Sequence, residues 1–265
     1  MGILKITLSS FRNHNQKELG FGEGLTVIWG DNGSGKTSLL EAIHLLSYGK
    51  SFKTHKQREL IKNGLHSYVV RGTFKKNNST DKVDTEFGTG GAQKTKINGK
   101  LISSRKEQVG RNPVVILSPE EQEITKGGPS QRRSFFDRVF SVVNKEYLNT
   151  LQSFFRLLKQ RNASLIRIRE GKAGIGEIYG WDEQIVGVAS SLLFQRGLMI
   201  EKFKESLFYI QSKYDINVDV EISYKPNIKE PLDYKQTLLT TQETDVSMGR
   251  TTRGPHRDEI DTLWR

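Results

Sequence analysis

Residues 30 to 37 read Gly-Asp-Asn-Gly-Ser-Gly-Lys-Thr and fit the pattern GxxxxGK[ST] without a mismatch. This octapeptide constrains the fold more than any other feature, because its chemistry works in one context only. A strand must end, a glycine-rich loop must wrap a phosphate with successive N–H groups, and a helix must open with its positive end toward the same anion. The flanks supply that context. Leu25 to Trp29 is a β-rich run directly upstream, and Leu39, Leu40, Ile43, Leu45 and Leu46 space a helix from about Thr37 to Leu46. The pattern therefore predicts a nucleotide cradle made by Gly30, Asp31, Asn32, Gly33, Ser34, Gly35, Lys36 and Thr37. Lys36 is expected to reach the outer phosphates, and the Thr37 hydroxyl to ligate magnesium.

Other absences narrow the class of nucleotide protein. The only Asn-Lys is Asn144-Lys145, followed by Glu146-Tyr147 rather than by the Asp of a guanine reader, which disfavours GTP. No glycine set completes the GxGxxG of a dinucleotide fold. Val114 to Leu117 has the four apolar residues of a Walker B strand, but Ser118-Pro119-Glu120-Glu121 follows where a magnesium-holding Asp belongs. That run reads instead as a core strand stopped by a turn. No catalytic carboxylate is assigned, and turnover of ATP is expected to be negligible.

The chain has 265 residues, 41 Lys plus Arg against 30 Asp plus Glu, and a formal charge of +11. With no Cys, disulfides, Cys-ligated zinc, iron-sulfur clusters and a thiol nucleophile are excluded together. The five His are scattered without the helical spacing of a zinc hydrolase. No apolar run exceeds the four residues of Val114 to Leu117, so neither a membrane span nor a secretory segment is expected, and the cytoplasm is the default compartment. From Lys126 to Lys172 there are eleven Lys or Arg and three acidic residues, a local +8, while the rest of the chain is nearly balanced. Such a segment suits a polyanion, because neutralising phosphates releases condensed counterions; a merely solvated helix face is the alternative.

Periodicity divides the chain into regions. Ile3 to Leu8 alternates like a strand, Gly20 to Gly24 makes a turn, and Ser67 to Ser103 reads as short strands with a hairpin at Asn98-Gly99. After Gly127-Gly128-Pro129 one long amphipathic helix is expected, carrying Phe135, Phe136, Val139, Phe140, Val143, Tyr147, Leu151, Phe154, Phe155 and Leu158. A second stripe from Trp181 to Ile210 predicts a partner helix and hence a hairpin. Asn217 to Tyr224 then alternates as a strand. The expected architecture is α/β: a P-loop lobe over residues 1–128, a helical arm over 129–213, and a return to the sheet over 214–265.

A series of ordered motifs runs along the chain: FRNH at Phe11 to His14, GDNGSGKTSLLEAI at Gly30 to Ile43, GKSFKT at Gly49 to Thr54 and ING at Ile97 to Gly99. VVILSPEEQEITKGGPSQRRSFFD at Val114 to Asp137, KQRN at Lys159 to Asn162, WDEQ at Trp181 to Gln184 and GPHRDE at Gly254 to Glu259 continue the series. Together they resemble the RecF family of bacterial DNA replication and repair ATPases, whose fold is similar to the heads of ABC and SMC proteins. Lys53 stands where the family usually has Arg, and Thr125 where it has a second aliphatic. The resemblance covers about the first two thirds of a family member. The family's signature loop and Walker B segment lie beyond the part matched, which implies a truncated chain or a fragment.

The resemblance implies an ABC-ATPase-like head with mixed sheets and an inserted α-helical arm, binding ATP at Gly30 to Thr37 with Mg2+ on Thr37. Arg12 would reach the nucleotide, or else form a surface ion pair. Ser118-Pro119-Glu120 would link the lobes near the γ-phosphate. Arg132, Arg133, Arg156, Lys159, Arg161, Arg167 and Arg169 are the implied DNA-backbone contacts, and His256 is expected to be structural. The implied partners are duplex DNA and gap junctions, RecR- and RecO-type recombination mediators, and a second copy in an ATP-dependent homodimer, with recombinase loading at single-strand gaps as the outcome. An SMC-type structural head and a small-molecule P-loop kinase are the alternatives; a kinase gives no reason for a basic helical arm.

Overall fold

A computed structural model of the chain describes residues 2–76, 79–117, 127–228 and 234–264. The chain divides into two compact units, residues 1–116 and 117–265. The thiol-free core of the first unit is built on β1 (Gly2–Phe11), β2 (His14–Gly20), β3 (Ser67–Lys75), β4 (Thr80–Gly88), β5 (Lys94–Ile97) and β6 (Lys100–Leu101), ordered β2-β1-β3-β4-β5-β6. Every pairing among these strands is antiparallel. Alternation sends Ile6, Leu8, Tyr68, Val70, Phe74, Val83 and Ile97 to one face. There α1 (Lys36–Tyr48) covers them with Leu39, Ala42, Leu45 and Leu46. The helix comes so near that a Cβ on Gly72 of β3 would lie 2.4 Å from the Leu46 side chain. Asn98-Gly99 makes the expected turn between β5 and β6, with both residues at positive φ.

Two of the expected strands do not form ladders. Leu25 to Trp29 and Val114 to Leu117 pair with no strand among the described residues. Leu25, Trp29, Val115 and Leu117 are 91%, 87%, 94% and 93% exposed. Apolar β-branched sequence reports a preference for burial, but a strand exists only where a neighbour offers its backbone groups.

The second unit is mainly helical: α2 (Pro129–Val143), α3 (Lys145–Arg169) and α4 (Tyr179–Lys213), then β7 (Val220–Lys225), α5 (Tyr234–Thr240), α6 (Gln242–Met248) and β8 (Glu259–Trp264). The single helix expected after Pro129 is two. Asn144 leaves the helical region with φ −135°, and its Oδ1 accepts from the N–H groups of Glu146 and Tyr147, so it caps α3 where α2 stops. The expected hairpin is α3 against α4, enclosing Phe154, Leu157, Leu158, Ile185, Ala189, Leu192 and Leu193. The strand expected to return to the first sheet forms as β7, but among the described residues its partner is β8, in a separate two-stranded sheet of the second unit. Among the described residues no helix is long and apolar enough to cross a membrane.

Two arginines are sealed in this unit with 0% exposure, Arg161 and Arg196. Arg196 binds Asp137 and Asp258, with Nη1 to Asp258 at 2.5 Å and to the Pro255 carbonyl at 2.9 Å. Tyr147 donates to the same Asp137, and Tyr224 to Asp258. Burial pushes the Asp258 carboxyl up and opposes the charge on Arg196, yet the two carboxylates leave the guanidinium firmly ionised. A charge taken so far from water persists only because its partners are built in.

Candidate nucleotide site

The loop and the following helix of the octapeptide form as its chemistry requires, whereas Leu25 to Trp29 before it pairs with no strand among the described residues. Gly30, Gly33 and Gly35 have φ of 143°, 83° and 94°, a region that side chains resist, so the loop can turn back on itself. α1 opens at Lys36 with no acidic residue in its first turn, and its free N–H groups face the loop. Lys36 Nζ spans the loop to the carbonyls of Gly30 and Asp31, at 2.7 and 2.8 Å. Thr37 is exposed on the same rim.

The turn between β1 and β2 braces this loop from the side. Asn13 Nδ2 donates to the Gly33 carbonyl at 2.7 Å, and His14 Nε2 lies 3.2 Å from the Gly35 carbonyl. The fit is close enough that a Cβ on Gly35 would stand 2.4 Å from His14 Nε2. Arg12, held at φ 54°, grips Glu41 of α1 with Nε and Nη2 at 2.8 and 2.6 Å and donates Nη1 to the Glu59 carbonyl. Glu41 is buried and also receives the Ser51 hydroxyl. The hydrogen bonds to Glu41 raise the Arg12 pKa further. The ion pair of Arg12 with Glu41 is half-buried rather than on the surface, and it locks the brace to the helix.

These elements enclose a cleft of about 680 Å3 lined by Arg12, Asn13, Asn32, Gly33, Gly35, Lys36, Thr37, Lys53 and Lys62, among others. The residues fit a phosphate-bearing nucleotide: a cradle that a Cβ would fill, a helix N-terminus, and lysines on both walls. Among the described residues no three His, Asp or Glu converge to hold a metal. The Thr37 hydroxyl is the group at the cleft that would hold magnesium beside a bound nucleotide. Sequence reasoning missed Asn13, His14, Glu41 and Lys62 as parts of this site. The first three sit inside the quoted FRNH and LLEAI segments, so the signal was present but carried no role. Ser118-Pro119-Glu120 and Thr125 lie outside the described residues.

The seven basic residues expected on the arm divide. Arg156, Lys159, Arg167 and Arg169 of α3 are exposed, with Arg167 3.5 Å from Glu177 and Arg169 packed over Gly249. Arg132 faces β8 instead, donating to the Ile260 and Gly127 carbonyls and to Asp261. Arg133 donates to the Asp258 carbonyl at 2.5 Å. Arg161 corrects the expectation outright: it is wholly buried, bound to Asp182, Asp245 and Thr251 at 2.5, 2.6 and 2.8 Å, and cannot meet a DNA phosphate from there. His256 lies beside Phe154 with ring centroids 6.1 Å apart, its Nε2 is 3.1 Å from the Thr251 carbonyl, and burial lowers its pKa to about 4.

Comparison with known proteins agrees with this architecture. A family model described as an AAA domain matches residues 5–243. The DNA replication and repair protein RecF of Leptospira interrogans serogroup Icterohaemorrhagiae serovar Lai (strain 56601) is 33% identical over 98% of this chain and 71% of its own. That of Pseudoalteromonas translucida (strain TAC 125) is 34% identical over 98% of this chain and 71% of its own. Among solved structures, one described as the recombination mediator protein RecF-ATP in the RecFOR pathway superimposes with a TM-score of 0.89 at 32% identity, covering 99% of this chain and 73% of that one. A third of the residues shared along almost the whole chain, on the same path through space, means that the protein belongs to the RecF family of DNA replication and repair proteins.

Proposed function

We propose that this chain binds ATP with magnesium in the P-loop cleft and contacts DNA as part of recombinational repair, helping to load recombinase at single-strand gaps. The observation that carries the nucleotide half is the braced loop: three left-handed glycines, a helix N-terminus, and Lys36 across the mouth. On binding, the lysine exchanges its two carbonyl partners for oxygens of the outer phosphates. The loop N–H groups take the inner ones, while Asn13 and His14 keep the loop from opening. The DNA half is supported by family membership and by Arg156, Lys159, Arg167 and Arg169 on the open side of α3. RecR- and RecO-type mediators and an ATP-dependent homodimer belong to the same reading, supported by the RecFOR setting of the neighbouring structure.

Titration with a fluorescent ATP analogue tests the nucleotide half. Lys36→Ala removes the ammonium facing the outer phosphates and should weaken binding at least tenfold, roughly the 1.4 kcal/mol or more of a lost charge-assisted hydrogen bond. Unchanged affinity would overturn the assignment.

A further inference from the structure

The distribution of charge between the two units differs from its distribution along the sequence. Residues 1–116 contain 19 Lys or Arg against nine Asp or Glu, whereas residues 117–265 contain 22 against 21. Nearly all of the +11 therefore belongs to the first unit. The basic stretch from Lys126 to Lys172 is offset by acidic residues elsewhere in its own unit, and three of its arginines are engaged with protein carbonyls or carboxylates.

Within the first unit the basic segment that borders the nucleotide cleft is Gly49 to Gly64, with five Lys or Arg and Glu59 as its one acidic residue. Its backbone is fixed. Leu60 and Ile61 are buried, the Leu60 carbonyl accepts from Arg12 N at 2.8 Å, and Lys62 N donates to the Ser10 carbonyl at 2.9 Å. Ser51 Oγ accepts from the N–H groups of Lys53 and Thr54, and Tyr68 donates to Gln57. With the apolar residues turned in, Lys53, Lys56 and Arg58 stand in solvent along one short ridge. The carboxylate of Glu59 accepts from the Thr54 hydroxyl at 2.6 Å and lies 3.7 Å from Lys56 Nζ, an exposed pair that a phosphate can displace. Lys53 and Lys62 also line the nucleotide cleft, and Lys62 Nζ reaches the Asn13 carbonyl at 3.2 Å.

We infer that this ridge is a nucleic-acid backbone contact, with Lys56 and Arg58 as its outward phosphate ligands and Lys53 and Lys62 as its edge on the nucleotide cleft. The inference rests on the DNA-binding reading above and moves the principal contact from the arm to the P-loop unit. Cations on a fixed frame lose little freedom on meeting a phosphate, and the unit around them repels no polyanion. The shared edge places bound backbone beside bound nucleotide, so the two ligands should affect each other's affinity.

The test uses the full chain and a fluorescein-labelled DNA duplex, with anisotropy read across a salt series. Lys56→Glu with Arg58→Glu should weaken duplex binding roughly tenfold or more and reduce the slope of log K against log salt by about 2, since each lost phosphate contact contributes about 0.9. Affinity for the fluorescent ATP analogue, and the melting temperature, should stay at parent values, because neither residue lines the cleft. The paired arm variant Arg156→Glu with Lys159→Glu should lose less. A ridge variant that binds within twofold of the parent with the same slope overturns the inference alone, as does an arm variant that takes the whole loss. A parent that binds no duplex at any salt overturns the DNA-binding reading with it. Polyglutamate competing as well as unlabelled duplex would remove nucleic acid as the occupant.

Discussion

Arg161 separates a structural reading of the arm from a DNA-binding one. Replacing it with Met keeps most of the aliphatic stem and removes the guanidinium. Asp245, itself 0% exposed, then keeps only the N–H and hydroxyl of Thr252, at 2.8 and 2.6 Å, and loses its one cation. Asp182 loses its 2.5 Å partner but reaches water more easily, at 14% exposure. Breaking a buried pair from one side costs about 3–5 kcal/mol, because a charge is left without compensation. The Thr251 hydroxyl loses an acceptor-side partner as well, worth about 1 kcal/mol. At roughly 2–4 °C per kcal/mol for a chain of this size, the combined loss of about 4–6 kcal/mol should lower the melting temperature of Arg161→Met by about 8–24 °C. Thermal unfolding followed by circular dichroism measures this. The double variant with Asp245→Asn keeps an acceptor for Thr252 but no orphan charge, and should recover about 2 kcal/mol of the loss. Below the transition, Arg161→Met should bind duplex like the parent. A variant that melts within about 2 °C of the parent yet loses duplex affinity would refute the reasoning, and would put Arg161 at the surface.

Gly33→Ala meets no atom within 4 Å and costs only left-handed strain, about 1–2 kcal/mol, whereas Gly35→Ala also drives a methyl to within 2.4 Å of His14. Affinity for the ATP analogue should therefore fall further in Gly35→Ala, and equal losses would remove the brace from the account of the site. Asn144→Ala should destabilise the second unit by about 1 kcal/mol through loss of the α3 cap, with Asn144→Asp near parent in urea unfolding; equal loss in both would refute the cap. His256 has a folded pKa of about 4, below the ordinary 6.5, so its neutral form contributes stability that is complete above about 6.5 and lost as pH falls toward 4. Between pH 7 and 5 that loss is about 2 kcal/mol, and His256→Gln should flatten this part of the stability profile. A Gln variant with an undiminished acid slope would show that another group titrates there.

The sequence alone determined the features written in consecutive residues. Gly30 to Thr37 fixed the loop and the helix after it, since three glycines and a GKT leave the backbone few other conformations. The stripes from Phe135 to Leu158 and from Trp181 to Ile210 fixed the helical hairpin, because a period of 3.6 is a local property. Tertiary structure decided everything that depends on partners distant in the chain. The break at Asn144 was hidden inside an unbroken apolar period. Whether Leu25 to Trp29 pairs depends on neighbouring backbone, which its own residues do not specify. Arg161 and Arg156 look alike in sequence, five residues apart on one helix. Yet one points at Asp245, 84 residues away, and the other at water. Burial and charge pairing are sums over neighbours in space, and the same physics placed Glu41 against Arg12 and the positive ridge beside the nucleotide cleft.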